Sequence, residues 1–182
     1  AIVCSDNGTV GADHQYASFW KATPGGWCLR ADLCEKFLGT KDVAQLTEMF
    51  STWEKVEETA AKVSEASGGT CRLLSGWDDL IRVYMNHRTS GRYNSDDVIT
   101  IDDQVKAYFE EAKKFADNNW TFNTEQWSAD WNSMMEGDGS STNAALAYTG
   151  CPWFLYWCMK DAWKGQTIVV PGPQSYYWGG TR

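Results

Sequence analysis

AALAYTGCPWFLYW, residues 144–157, joins two kinds of structure across one proline. Residues 144–150 are mostly small and apolar and end in Gly150, the pattern of a buried strand. Pro152 has no amide hydrogen and a preset φ, which suits the first turn of a helix. The stretch predicts a strand closing at Gly150 and a helix from Pro152 through Trp157 to about Ala162. Trp153 then stands at the junction, where it can face a ligand. Trp157, one turn later, is expected in the core.

Working outward, the same strand-then-helix pattern recurs. TCRLLS (70–75) reads as a short strand, and SGWDDL (75–80) opens a helix to about Asn86. Asp78 is placed as a helix N-cap there. TIVVP (167–171) is the last strand, and PGPQSYYWGG (171–180) follows it. In that loop Tyr176, Tyr177 and Trp178 sit between glycine and proline clusters that stop regular structure. ADLCEKFLG (31–39) reads as a short helix ended by Gly39, and Val43, Leu46 and Phe50 continue a helical period. A capping box at Ser51–Glu54 opens a helix with Trp53, Val56, Ala60 and Val63 inward. A strong helix runs from Asp102 or Asp103 to about Asp117, its apolar face made of Val105, Tyr108, Phe109, Ala112 and Phe115. Thr124 caps a further helix in which Trp127 and Trp131, four apart, are expected in the core. EGDGSSTN (136–143) reads as a flexible loop, and AIV, ASFW and GGWCL within residues 1–29 as strand and turn. Strands alternating with helices predict an α/β class with a mixed sheet flanked by helices, in one domain without internal repeats.

In open α/β sheets ligands bind beyond the carboxyl ends of strands. Three strand ends here carry aromatic side chains: Trp77 with Asp78 and Asp79, Trp153, and Tyr177 with Trp178. Brought together, they make an aromatic floor with an acidic rim. The composition agrees, since 11 Trp stand in a chain of 182 residues that is 14% aromatic. Indole faces stack on the C–H faces of sugars, while carboxylates and amides accept sugar hydroxyls.

Other classes find less support. A net charge of −8, from 16 basic and 24 acidic residues, repels a phosphate backbone, so no nucleic-acid partner is expected. Six cysteines include no C-x-x-C pair, so no metal site is expected and the thiols read as mostly free and partly buried. The aspartate pairs 78/79 and 102/103 begin helices, and His14 and His87 have no partner motif. No G-x-S-x-G nucleophile elbow and no phosphate loop occur. The chain is therefore expected to be no enzyme, with no catalytic residue and no cofactor. The rival reading is a glycan-active enzyme or an accessory carbohydrate-binding module, which would share the floor.

PGGWCLRADLCEKFLGT (24–40), SGWDDLIRVY (75–84), ALAYTGCPWFLYW (145–157) and VVPGPQSYYWGG (169–180) come in an order that resembles the carbohydrate-type extracellular solute-binding proteins of bacterial ABC importers, the family of maltose-binding protein. The resemblance runs from about residue 17 to the C-terminus. It implies one lobe of a type II periplasmic-binding-protein-like fold. Residues 1–29 would form the region crossing between lobes, and residues 30–182 mostly the C-terminal lobe, ending at a loop that returns toward the cleft. It further implies non-catalytic capture of an oligosaccharide and delivery to the transmembrane subunits of an ABC permease. The missing second lobe of the same protein would be the other partner, and the full-length protein an extracellular lipoprotein anchored to the cytoplasmic membrane. Carried onto this sequence, the resemblance makes Trp153 the stacking residue, Trp77 and Asp78 the strand-end contacts, and Tyr177 and Trp178 the cleft-facing loop.

Overall fold

The computed structural model describes residues 23–163 and 165–178. The strand readings for AIV and ASFW, with Cys4, His14 and most of the expected crossing region, lie outside them. β1 (Gly26–Arg30) is buried at all five positions, and the chain turns at once into α1 (Ala31–Leu33), which widens into a π-helical turn at Cys34–Leu38. Gly39 ends it at φ 76°, a left-handed cap that glycine adopts without steric cost. α2 (Val43–Met49) and α3 (Trp53–Ala66) follow. The cap of α3 is Thr52, whose hydroxyl accepts the Lys55 amide, one residue beyond the expected Ser51; Ser51 instead donates to the Glu48 carbonyl.

β2 (Cys71–Arg72) leads to a 3-10 turn (Trp77–Leu80) and α4 (Ile81–Met85). α5 (Asp103–Asp117) is capped by Asp102, which accepts the Val105 amide. Its Tyr108, Ala112 and Phe115 are buried, whereas Phe109 is exposed, because one residue past Tyr108 lies about 100° around the helix. α6 (Ala129–Glu136) is capped by Ser128 rather than Thr124. β3 (Ala144–Ala145) and β4 (Ala147–Gly150) form one nearly continuous extended run. α7 (Pro152–Phe154) widens into a π-turn at Leu155–Met159 and continues as α8 (Lys160–Ala162), before β5 (Thr167–Val170).

β1 lies between β4 and β5, antiparallel to both, with Trp27 opposite Thr149 and Val170. β2 pairs parallel with β3, and the Leu146 and Ala147 amides extend that pairing to the Arg72 and Leu73 carbonyls. The result is a mixed sheet with helices on both faces, as expected from the alternation. Residues 144–150 are all buried, which explains their small side chains: both faces of this run are covered. One core holds Trp27, Leu29, Phe50, Val63 and Phe115, and a second holds Cys28, Trp131, Tyr148, Phe154 and Met159.

Trp157 departs from its expected place for a reason of register. Trp157 is 64% exposed because the π-turn resets the inward spacing to five, from Phe154 to Met159, both buried. In EGDGSSTN, Asp138 accepts the amides of Thr142, Ser140 and Ser141, which holds its carboxyl below the usual carboxylate range. Cys28, Cys34, Cys71 and Cys151 are free and buried. Burial pushes the first three thiols up to about 12, so they pack as small hydrophobes.

Candidate functional site

β4 and β5 are each antiparallel to β1, and β2 is parallel to the β3–β4 run. All three strands therefore finish at one edge, where the chain places Trp77, Trp153 and Trp178. The structure brings two of those rings together. Trp153 and Trp178 meet edge to face, with centroids 5.3 Å apart. Trp178 also stacks on Phe154 at 5.9 Å, and the Arg82 guanidinium lies 4.0 Å from its ring centre.

Trp77 goes elsewhere. It is 41% exposed and its ring lies near Tyr108, at 6.4 Å. Among the described residues no ring contact joins it to Trp153 or Trp178, so the three strand ends do not merge into one aromatic floor. The 3-10 turn aims Trp77 toward α5, away from the α7 side.

The third ring of the cluster is Trp127, which the helical spacing had assigned to the core. It lies before α6 at φ 71° and is 48% exposed. It stacks on Trp153 at 6.0 Å with ring planes 16° apart, and meets Trp178 edge-on at 6.2 Å. Trp131, by contrast, is buried as expected and forms the floor beneath, 5.1 Å from Trp127. A left-handed backbone at a tryptophan has no sequence signature, because few bulky residues adopt it.

Asp78 is not the N-cap expected of it; Gly76 holds that position. A Cβ on Gly76 would stand 1.9 Å from the Thr124 carbonyl oxygen, so only glycine lets residues 122–127 come this close. One oxygen of Asp78 accepts the Gln126 amide at 2.7 Å, and the other is buried without a hydrogen-bond partner. Asp79 is wholly buried and accepts from Ser75 Oγ, Gln126 Nε2 and Trp131 Nε1. Burial pushes it up to about 6, although those donors favour its charged form.

The loop after β5 divides its aromatic residues between two tasks. Tyr176 is buried, and its hydroxyl lies 3.0 Å and 3.1 Å from the carbonyls of Gly26 and Gly150, between which its single proton is shared. A Cβ on Gly25 would stand 2.2 Å from the Tyr176 ring. Tyr177, 40% exposed, donates its amide to Asn86 Oδ1, and the His87 ring contacts the Ser175 carbonyl at 2.7 Å. The Trp178 amide bonds to the Thr23 carbonyl. Trp178 is thus fixed from both sides.

The architecture can now be compared with solved structures. An extracellular solute-binding protein of family 1 matches with a TM-score of 0.75 at 14% identity, over 91% of this chain and 43% of its own. The chain has the fold of one lobe of a solute-binding protein. The sugar-binding protein MalE of Xanthomonas citri matches this lobe with a TM-score of 0.62 at 13% identity, over 95% and 46% of the two chains. Maltose-bound MalE3 of T. maritima matches it at 0.55 and 17% identity, over 91% and 45%. The lobe therefore spans less than half the length of the structures it matches. No protein-family model and no curated protein matches it in sequence. Among the described residues no helix is long and apolar enough to cross a membrane.

A shallow apolar cavity of about 240 Å³ lies beside β5 and is lined by Gly26, Gly150, Pro152 and Val169. None of the three tryptophans lines it. Trp127 is half-exposed, whereas Trp153 and Trp178 are partly buried against the cores.

Proposed function

We propose that this lobe binds an oligosaccharide without catalysing a reaction, as one half of the solute-binding protein of a bacterial ABC importer. The observation that carries the proposal is the cluster of Trp127, Trp153 and Trp178, partly exposed at the edge where three strands finish. Sugar C–H faces stack on Trp153, and Trp178, whose ring already carries the Arg82 guanidinium and Phe154, buttresses it edge-on. Tyr177, 40% exposed and next to Trp178 in sequence, extends the surface, whereas Trp77, beside Tyr108, stands apart from it. Asp78 serves the same surface by holding the turn that carries Trp127. The sugar-binding and maltose-bound proteins that share this fold support the choice of ligand.

The second lobe closes over the bound sugar in a hinge motion, and the closed form is presented to the permease. An extracellular location with a lipid anchor belongs to the same proposal. An enzyme reading lacks support here, since hydrolysis of a glycosidic bond needs two carboxyl groups flanking it. Asp78 and Asp79 each accept from Gln126 through one oxygen. Trp153→Ala in the full-length protein should abolish detectable binding of an oligosaccharide panel by calorimetry. Unchanged affinity would refute the stacking role.

A further inference from the structure

Trp127 combines two features that do not explain each other. Its backbone is left-handed, which costs a bulky residue energy. Its indole, 48% exposed, packs on Trp131, Trp153, Phe154 and Trp178, which holds the ring but leaves the backbone strain without a support of its own. Something next to it must hold it there, and strain of this kind persists only where the surroundings over-determine it.

Gln126 is that neighbour. Its backbone amide donates to Asp78 Oδ2 at 2.7 Å, its side-chain Nε2 donates to Asp79 Oδ1 at 2.8 Å, and its Oε1 accepts from Arg82 at 2.9 Å. Both ends of one amide side chain and its own backbone are thus engaged by three residues of a single turn and helix. Thr124 adds a second tie, donating its amide and hydroxyl to the Ser75 carbonyl. Arg82 closes the loop of contacts, since the guanidinium that binds Gln126 also lies over Trp178.

We infer that Gln126 is a positioning residue: its knot with Asp78, Asp79 and Arg82 pins Trp127 in the left-handed conformation and thereby builds the outer step of the saccharide surface. This rests on the sugar-binding reading for the ligand, but not for the geometry. The knot selects for ligands long enough to reach a third indole, so oligosaccharides gain from it and monosaccharides do not.

The test uses the full-length protein. Stacked indoles couple their transitions, so near-UV circular dichroism reports the Trp127–Trp153 pair directly. Gln126→Met, matched in length, removes the side-chain bonds to Asp79 and Arg82 while keeping the backbone amide on Asp78, and should weaken the coupled band toward that of Trp127→Gly. With maltotriose, mannotriose and xylotriose as probes, both variants should bind about tenfold more weakly than wild type any trisaccharide it binds, with glucose, mannose and xylose unaffected. A wild-type band in Gln126→Met would overturn the inference, even if Trp153→Ala still abolished binding. A lost band in a protein that binds none of the sugars would keep the positioning role and remove the sugar reading instead. Should Gln126→Met not fold, Gln126→Glu keeps the Arg82 contact while removing the donor to Asp79, and the same comparison of bands decides.

Discussion

At the residue scale, several side chains do work that their type alone does not announce. Tyr176, Tyr177 and Trp178 are consecutive, yet the first is a core bolt and the others are surface. The Tyr176 hydroxyl ties the loop to the sheet at the Gly26–Gly150 pair, the last rung between β1 and β4. Tyr176→Phe keeps the ring and strips both carbonyls of a donor, so it should cost about 1–3 kcal/mol, read as a lower midpoint in urea unfolding. Arg30 is another such residue. It is buried, pairs with Asp32, and donates to the Met135 and Gly137 carbonyls at the end of α6. The two carbonyls are more than 100 residues away in sequence, so spacing could not reveal them. The glycine at 76 was visible, but not its reason, which is a carbonyl from residue 124.

Elements were legible where their signals are local. Asp102 caps α5, and the apolar period of that helix is real at Tyr108, Ala112 and Phe115. Asp102 also receives the Arg88 guanidinium and the Ser90 amide, and hydrogen bonds from Val105 and these groups hold its carboxyl below the usual range. Glu111, on the same helix, shifts the opposite way. Burial first, and then the Glu57 carboxylate of α3, push it up to about 7, while Lys114 opposes them and Glu54 adds to them. The folded state therefore binds this proton more tightly than the unfolded chain. Its stabilising effect is complete below about pH 4.5, the ordinary value, and is lost as pH rises through 7. Glu111→Gln should flatten that slope and leave the protein more stable at pH 8, on the order of 1–2 kcal/mol, in melts followed across pH. Elements were misread where register depends on a distant partner. The π-turn turns Trp157 outward, and the Gln126 knot delays α6 until Ala129, leaving Trp127 outside the helix that its spacing with Trp131 implied.

For the molecule as a whole, the strand directions bring the ends of β2, β4 and β5 to one side. If the proposed clamp is right, the 182-residue chain alone should bind an oligosaccharide at least about a hundredfold more weakly than the full-length protein, because closure buries the ligand and its hydroxyls on the second side. Equal affinity in titration calorimetry would remove the second lobe from the mechanism. The sequence by itself determined the α/β class, strands within 70–75, 144–150 and 167–171, the helix starting at Pro152 and the resemblance to sugar-binding solute receptors, although β2 covers only Cys71–Arg72. These follow from periodicity, proline and glycine chemistry and motif order, which are properties of neighbours along the chain. Only the tertiary structure decided which aromatic rings meet. Trp77 went to Tyr108 and Trp127 joined Trp153 and Trp178, because ring contacts are set by how the 75–82 segment grips residues 124–127. That grip lies across a separation of almost fifty residues, and no local rule encodes it.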